Sequence, residues 1–521
     1  MQNSRKSIII IGAGLSGMSS GCYAQMNGYS TEIFEMHFIP GGCCTAWDRG
    51  EYTFDCTIEW LLGSREGSPM NGIWQELGAL KEKRIKDFDV FNSYRGLDGR
   101  TVSFYADPDK LETHLKEISA EDSKPIEEFC NYLRSFEKIN DFITHDLYKP
   151  EVLCSQEEKE KMGEEVLPYL EILKKTIGIN IREFAEGFKE PLLQQAFKNV
   201  MFFEQNHFPL MPTCFNLRSA VDRDAGFPEG GSLGLAKSIE KRYGELGGRI
   251  NYSKKVSSII VDNDRAIGVK LEDGSEHLAD IVVSACDGYY TVMDMLKGKY
   301  ENPELDLLYK KYAASQPQIV YPGMAITFLG VNRDLSTEPH SITYQLTDQE
   351  AENLTGITQS KTLLLQIRTQ HSPEFAKEGK SVIAAYYMSE YDKWKELRND
   401  RPAYEREKKK VGDYIIEYAN RIYPGLREQV EVIDVSTPIT IERYTGNHKG
   451  SCMGWQPFSE AEEPAHELVD KYGMKLPGLK NLYVTGHWVS MGGLIRNASS
   501  GRHVVQFICR DDGKEFKTVN A

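Results

Sequence analysis

Two periods alternate along the chain. Short strand-like runs rich in β-branched and aromatic residues stand at residues 7–11, 31–34, 281–283 and 481–485. Runs of that kind mark strands buried on both faces of a parallel sheet. Between them the period changes to three and four residues, the spacing of one helical face. Ile126, Phe129, Leu133, Phe136, Ile139 and Ile143 follow it, as do Leu167, Leu170, Leu173 and Ile177. Pro191 suits a helix start before Leu192, Leu193, Ala196, Phe197, Val200 and Met201. Residues 88–107 read as a hairpin with Asp98-Gly99 at its tip. Residues 249–284 read as strands in which Ile267, Val269 and Leu271 alternate and Asp273-Gly274 makes the turn. Residues 324–329, 362–367 and 381–388 read as strands, and 404–422 as a polar helix. The pattern predicts an α/β fold in which segments 1–87, 222–292 and 431–521 build a Rossmann-like domain. Segments 88–221 and 293–430 build a mixed α+β substrate domain interleaved with it.

Composition narrows the partners. The 521 residues carry a net charge of -15, which argues against a nucleic-acid binder. Hydrophobic content is 40%, and no run approaches the roughly 20 apolar residues of a spanning helix. Ten cysteines form no CxxC pair, and Cys43 and Cys44 are adjacent, a poor arrangement for a disulfide. The pattern lacks the paired ligand spacings of a zinc site, so no metal is expected. Reduced thiols point to the cytoplasm. Arg5 and Lys6 before the apolar stretch imitate a signal peptide, but those residues serve the motif that follows.

That motif is Gly12-Ala13-Gly14-Leu15-Ser16-Gly17, set between a β-branched strand and a helix running to Asn27-Gly28. Gly12 permits the turn, Gly14 lets backbone approach a pyrophosphate, and Gly17 lets helix and strand pack closely. Glu35, at the end of the second strand, has the spacing of a ribose-hydroxyl acceptor. Pro40-Gly41-Gly42 follows, either a plain turn or a second close approach to a dinucleotide. Near the other end, Gly486-His487-Trp488 and Gly492-Gly493 lie between a strand and a helix over 494–509. A second glycine loop at a helix start suits a long cofactor such as FAD.

Six stretches then resemble the phytoene desaturase-like flavoproteins, which include bacterial phytoene desaturases, carotenoid isomerases and retinol saturases. They are IIIIGAGLSG (8–17), PGGCCTAWDRGEYTFD (40–55), FPEGGSLGLAKSIEKRYGELGGRI (227–250), ADIVVSACD (279–287), STPITIERYTG (436–446) and LYVTGHWVSMGGLIRNASSGR (482–502). The resemblance implies a flavoprotein of the GR2 type, with FAD held through Gly12, Gly14, Gly17, Glu35, Gly41, Gly42, Val256, Gly486 and the Gly492-Gly493 loop. Leu15, Ser16 and Leu494 stand at the two helix starts. It also implies desaturation or reduction of carbon–carbon bonds in a long polyene or unsaturated lipid. Double-bond isomerisation without net redox change is the alternative, and amine oxidation a further one. Two positions depart from the family: Cys43 where many members have Arg, and His487 where many have Asp.

Glu59, flanked by Ile58, Trp60, Leu61 and Leu62, is the leading acid–base candidate, because burial would raise its pKa. A salt-bridged structural Glu is the other reading. His487 is a second candidate beside the flavin or a packing partner of Trp488; Tyr444 and His448 are weaker ones. The expected partner is a hydrophobic small molecule. An apolar patch of Phe202, Phe203, Phe208, Leu210, Met211 and Pro212 offers peripheral contact with a membrane. The charge run over 157–161 reads as a solvated helix face.

Overall fold

The computed structural model describes residues 5–142, 144–201, 208–300, 302–312, 320, 323–358, 360–455, 466, 468–489 and 492–521. Ser7–Ile11 is the central strand of a five-stranded parallel sheet, ordered Arg249–Asn251, Ser30–Phe34, Ser7–Ile11, Ile281–Ser284, Leu482–Val484. Ile8 to Ile11 are at most 5% exposed, which explains the unbroken β-branched run. The chain leaves the central strand first to one side and later returns on the other. That reversal is the switch point at which open α/β sheets bind ligands. The helix Leu15–Met26 is buried along its whole first two-thirds. It packs against the C-terminal helix Leu494–Asp511, where a Cβ on Gly501 would stand 2.5 Å from Ser16 O. Close backbone approach joins the two chain ends.

The second unit is a seven-stranded mixed sheet, ordered Val430–Ser436, Gly323–Val331, Ser381–Ser389, Thr362–Ile367, Ser341–Gln345, Val90–Arg95, Thr101–Tyr105. Successive residues of its strand Ser381–Ser389 serve different cores. Ala384 and Tyr386 face the nucleotide domain with Phe328 and Phe54. Ile383, Ala385 and Tyr387 face Trp394, Val411 and Ile415 of the helices Tyr391–Arg398 and Arg401–Ile422. Burial of both faces is why this strand is apolar throughout.

Two expectations change here. The boundary drawn at 430/431 cuts the strand Val430–Ser436, which pairs along Gly323–Val331. That strand and the helix Pro438–Thr445, whose Ile439 packs in the same core, therefore go with the seven-stranded sheet. The last strand of the nucleotide sheet begins only at Leu482. The stripe Leu167, Leu170, Leu173, Ile177 is not a buried face. Leu173 and Thr176 turn inward from the helix Leu170–Gly178, while Leu167 and Ile177 are 67% and 51% exposed. The other helical stripe does face the core over Ser123–Phe142; Ile143 lies outside the described residues.

Candidate active site

The strands of the parallel sheet end on one side at Gly12, Glu35, Ala285 and Thr485, and all four line one cavity of 1530 Å³. Gly14 and Gly17 act differently there. Gly14 lines the cavity, and a Cβ on it would meet no atom within 4 Å, so its backbone faces open space. A Cβ on Gly17 would stand 2.0 Å from Gly12 O, so this glycine serves helix–strand contact and does not line the cavity. The helix start at Gly14 carries no side-chain cap, which leaves its first-turn N–H groups for an anion. Leu15 and Ser16 line the cavity beside it.

Glu35 is gripped by backbone. Its Oε2 accepts from Ala13 N–H at 2.6 Å and its Oε1 from His37 N–H at 2.8 Å. Burial pushes its carboxyl up, and these donors pull the other way. Gly41 N–H donates to Ala13 O at 2.9 Å, bringing the Pro40-Gly41-Gly42 turn against Gly14. The turn is therefore also a second wall of the cradle. Cys43 lines the cavity as well; burial pushes its thiol up to about 11, so a neutral group stands where many family members carry a cation.

The closing loop completes the cradle from the other chain end. Gly486 N–H donates to Ser500 Oγ at 2.9 Å, and a Cβ on Gly486 would stand 3.1 Å from Ser16 Oγ. Gly492, Gly493 and Leu494 line the cavity too. So does His487, whose ring sits edge-on to Trp488. Burial pushes its imidazole down to about 4, so it is neutral near pH 7. Val256 does not line the cavity; it is buried at the start of the strand Val256–Asp262, and its carbonyl accepts from Tyr290 OH.

Glu59 lines the same cavity. Its side chain is one-fifth exposed, and its Oε2 has no hydrogen-bond partner. Burial lifts its carboxyl to about 7, while the Arg368 guanidinium and a Gln366 contact pull it down. Arg368 Nη1 stands 3.9 Å from Oε2, too far for a hydrogen bond. Arg368 is fully buried and paired with the buried Asp55. Trp60, Met211 and Phe215 extend the wall, with Trp60 Nε1–H donating to Asn216 Oδ1 at 2.8 Å. An Arg496–Asp146 ion pair also lines it. Tyr444 lines the cavity but is 43% exposed. His448 does not line it; its ring stacks on Tyr289 and its backbone N–H donates to Asp287 Oδ2 at 2.8 Å. Asp55 and Glu59 stand in or beside a family stretch, whereas nothing in the sequence near Arg368 points to the site. Its pairing with Asp55 spans 313 residues.

Residues 15–508 match the family model described as flavin containing amine oxidoreductase. The chain belongs to this family. Its backbone-faced cradle fits FAD: Gly14 opens on the cavity, an uncapped helix start faces the phosphate position, and a second glycine loop lies alongside. The cavity also exceeds the about 300–1,000 Å³ of a usual small-ligand pocket, leaving room beyond the cofactor. The protein is an FAD-dependent oxidoreductase. Chloroplastic prolycopene isomerase of Daucus carota is 25% identical over 85% of this chain and 71% of its own length. Lycopene-forming phytoene desaturase of Pseudescherichia vulneris is 23% identical over 87% of this chain and 89% of its own. Among solved structures, an oxidoreductase from Methanosarcina mazei superposes with TM-score 0.60 at 18% identity, covering 96% of this chain and all of that one. Putrescine oxidase bound to putrescine superposes at 0.56 with 11% identity over 97% and 99%. The last two establish the fold.

Proposed function

We propose that this flavoenzyme acts on carbon–carbon bonds of a long apolar polyene or unsaturated lipid, by desaturation or double-bond reduction. The observation that carries this is the continuous cavity, lined both by a glycine cradle and by Trp60, Met211 and Phe215 with the partly buried carboxyl of Glu59. FAD, when bound, supplies the hydride chemistry. The chain's own residues do the rest. Gly14, Gly41 and Gly486 seat the cofactor through backbone, and Glu35 takes the ribose hydroxyls. The apolar wall orients a chain-like substrate and excludes water. Glu59 holds a proton near neutral pH and exchanges it with the substrate carbon. His487, neutral, shapes the wall beside Trp488.

Isomerisation without net redox change is the second reading, supported by the likeness to proteins named prolycopene isomerases over 85% and 98% of this chain. Anaerobic incubation of the holoenzyme with all-trans and cis polyenes decides between them. A product shifted by two hydrogens supports redox chemistry, and altered geometry at unchanged mass supports isomerisation. Oxidation of an amine with neither polyene reacting would defeat both in favour of the third reading.

Peripheral contact with a bilayer goes with such substrates. Among the described residues no helix is long and apolar enough to cross a membrane. The outward Leu167, Leu170 and Ile177 sit on elements packed near the helix Leu210–Val221, which lines the cavity. They, with lysines 174 and 175 beside them, are the proposed contact; Phe202 and Phe203 lie outside the described residues, and Phe208 and Met211 line the cavity instead. Flotation with neutral-lipid vesicles should weaken in Leu170→Ser/Ile177→Ser. A cytoplasmic location is proposed from the ten free cysteines.

A further inference from the structure

Arg368 is 0% exposed, an unusual place for a guanidinium, and every hydrogen bond around it has a direction that can be deduced. A carbonyl only accepts, so His340 Nε2 carries the hydrogen donated to Val90 O at 2.8 Å. Burial pushes His340 down to about 4, so the ring is neutral and its Nδ1 is an acceptor. That acceptor faces His371 Nε2 at 3.0 Å, which must therefore donate. Burial and the nearby Arg368 hold His371 well below its usual range, so it too is neutral and offers Nδ1. Arg368 Nη1 reaches that atom at 3.5 Å and Gln366 Oε1 at 2.8 Å. Its other terminal nitrogen, Nη2, goes to Asp55, whose carboxylate also accepts from Ser232 N–H at 2.6 Å and Ser232 Oγ–H at 2.9 Å, while Nε is buried with no hydrogen-bond partner. The guanidinium lies over the Phe227 ring, 5.2 Å from its centroid.

Both hydrogens on Nη1 are thus directed at Gln366 and His371. Glu59 feels the positive charge but receives no hydrogen bond from it, and its Oε2 has no partner. We propose that Arg368 is a positioning residue: the Asp55 carboxylate and the neutral His371–His340 chain aim it so that it places a cation beside Glu59 without a hydrogen bond that would lock that carboxyl. A direct bond would hold Glu59 ionised, and no cation would leave its proton bound too tightly to give up. The other titratable groups facing this cluster are Asp55, Cys56 and Tyr386, with Lys86 beyond the histidines.

This inference deepens the reading of Glu59 as the proton donor and rests on it. The geometry makes two predictions of opposite sign, which a merely structural role would not produce. In Arg368→Gln the cation is lost, so the Glu59 titration should move up by about one pH unit or more. In His371→Phe an Nη1 hydrogen is released toward Glu59, so the titration should move down. The measurement is infrared difference titration of the holoenzyme, following the carboxyl C=O band that Glu59→Gln removes. Flavin absorbance confirms loading. Movement in those two directions supports the inference. An unmoved band in both, or the same direction in both, overturns it. If Arg368→Gln does not fold, His371→Phe decides alone: a downward shift supports, and no shift or an upward one overturns. Full turnover in Glu59→Gln would defeat the donor reading instead, while the titration still reports on Arg368.

Discussion

The glycine cradle and the Glu59 wall face one cavity but are made of different material. The cradle is backbone: Ala13 and His37 N–H groups on Glu35, the uncapped start at Gly14, and Gly486 held by Ser500. The wall is side chains carried in from distant elements: Glu59 after one strand, Arg368 after another, Trp60 tied to Asn216 on a helix. A backbone site depends on the absence of side chains at a few positions and tolerates change elsewhere. That is why Cys43 and His487 can replace the family's charged residues while the cradle geometry persists. A side-chain site depends on every member, because each buried charge needs its partner.

The sharpest way to break the comparison is Gly14→Val. Its side chain would enter the open space of the cavity, so the purified protein should lack flavin absorbance entirely. Its apoprotein melting temperature should stay near that of the unsubstituted apoprotein, because φ at Gly14 is an ordinary -68° and no neighbour is struck. An unfolded variant would mean that Gly14 serves packing as Gly17 does. On the wall side, Asp55→Ala strands the Arg368 charge in the interior. Denaturant unfolding should show a loss of about 3–5 kcal/mol; a loss below 1 kcal/mol would mean that water reaches the guanidinium.

Smaller effects sharpen it. Glu59→Gln should retain flavin and slow turnover about 100-fold, the low end for a lost acid–base group. The same variant isolates a pH effect. Glu59 is raised in the folded protein to about 7 from an ordinary 4.5. A raised carboxyl leaves the folded state unpenalised below the unfolded value and costs stability as pH climbs to the folded one. Relative to Glu59→Gln, the wild type should therefore lose up to about 3 kcal/mol between pH 4.5 and 7 and then level off. Parallel stability curves would place Glu59 in an ordinary solvated setting. Least of all, Ser500→Ala removes the acceptor of Gly486 N–H and should cost about 1–2 kcal/mol and weaken flavin retention several-fold on dilution.

What was legible follows range along the chain. Everything from Ser7 to Glu35 is settled within one βαβ unit, so spacing alone places the turn, the helix start and the acid, and the glycine doublet at 41–42 closes against it. The apolar flanks of Glu59 point to it, since local sequence already foretells low solvation. Arg368 gave no signal because its partner is 313 residues away and a lone Arg after a strand is ordinary. The stripe through Leu170 and Ile177 has true helical period, but period does not say which way a face points. The boundary at 430 failed for a related reason. A strand is recognisable locally, but its neighbour in a sheet is not, and Val430–Ser436 pairs with a strand a hundred residues earlier.

The amino-acid order by itself determined the α/β class, the glycine turns at the cavity and the low solvation of Glu59, because glycine conformations, strand burial and helix starts are short-range consequences of residue type. Only the tertiary structure decided that Ser16 is where the two chain ends meet, that Val256 stands away from the cavity, and that a buried Arg368 faces Glu59. Those depend on which elements pack together, and packing is set by the total burial of two interleaved cores, which no local window contains.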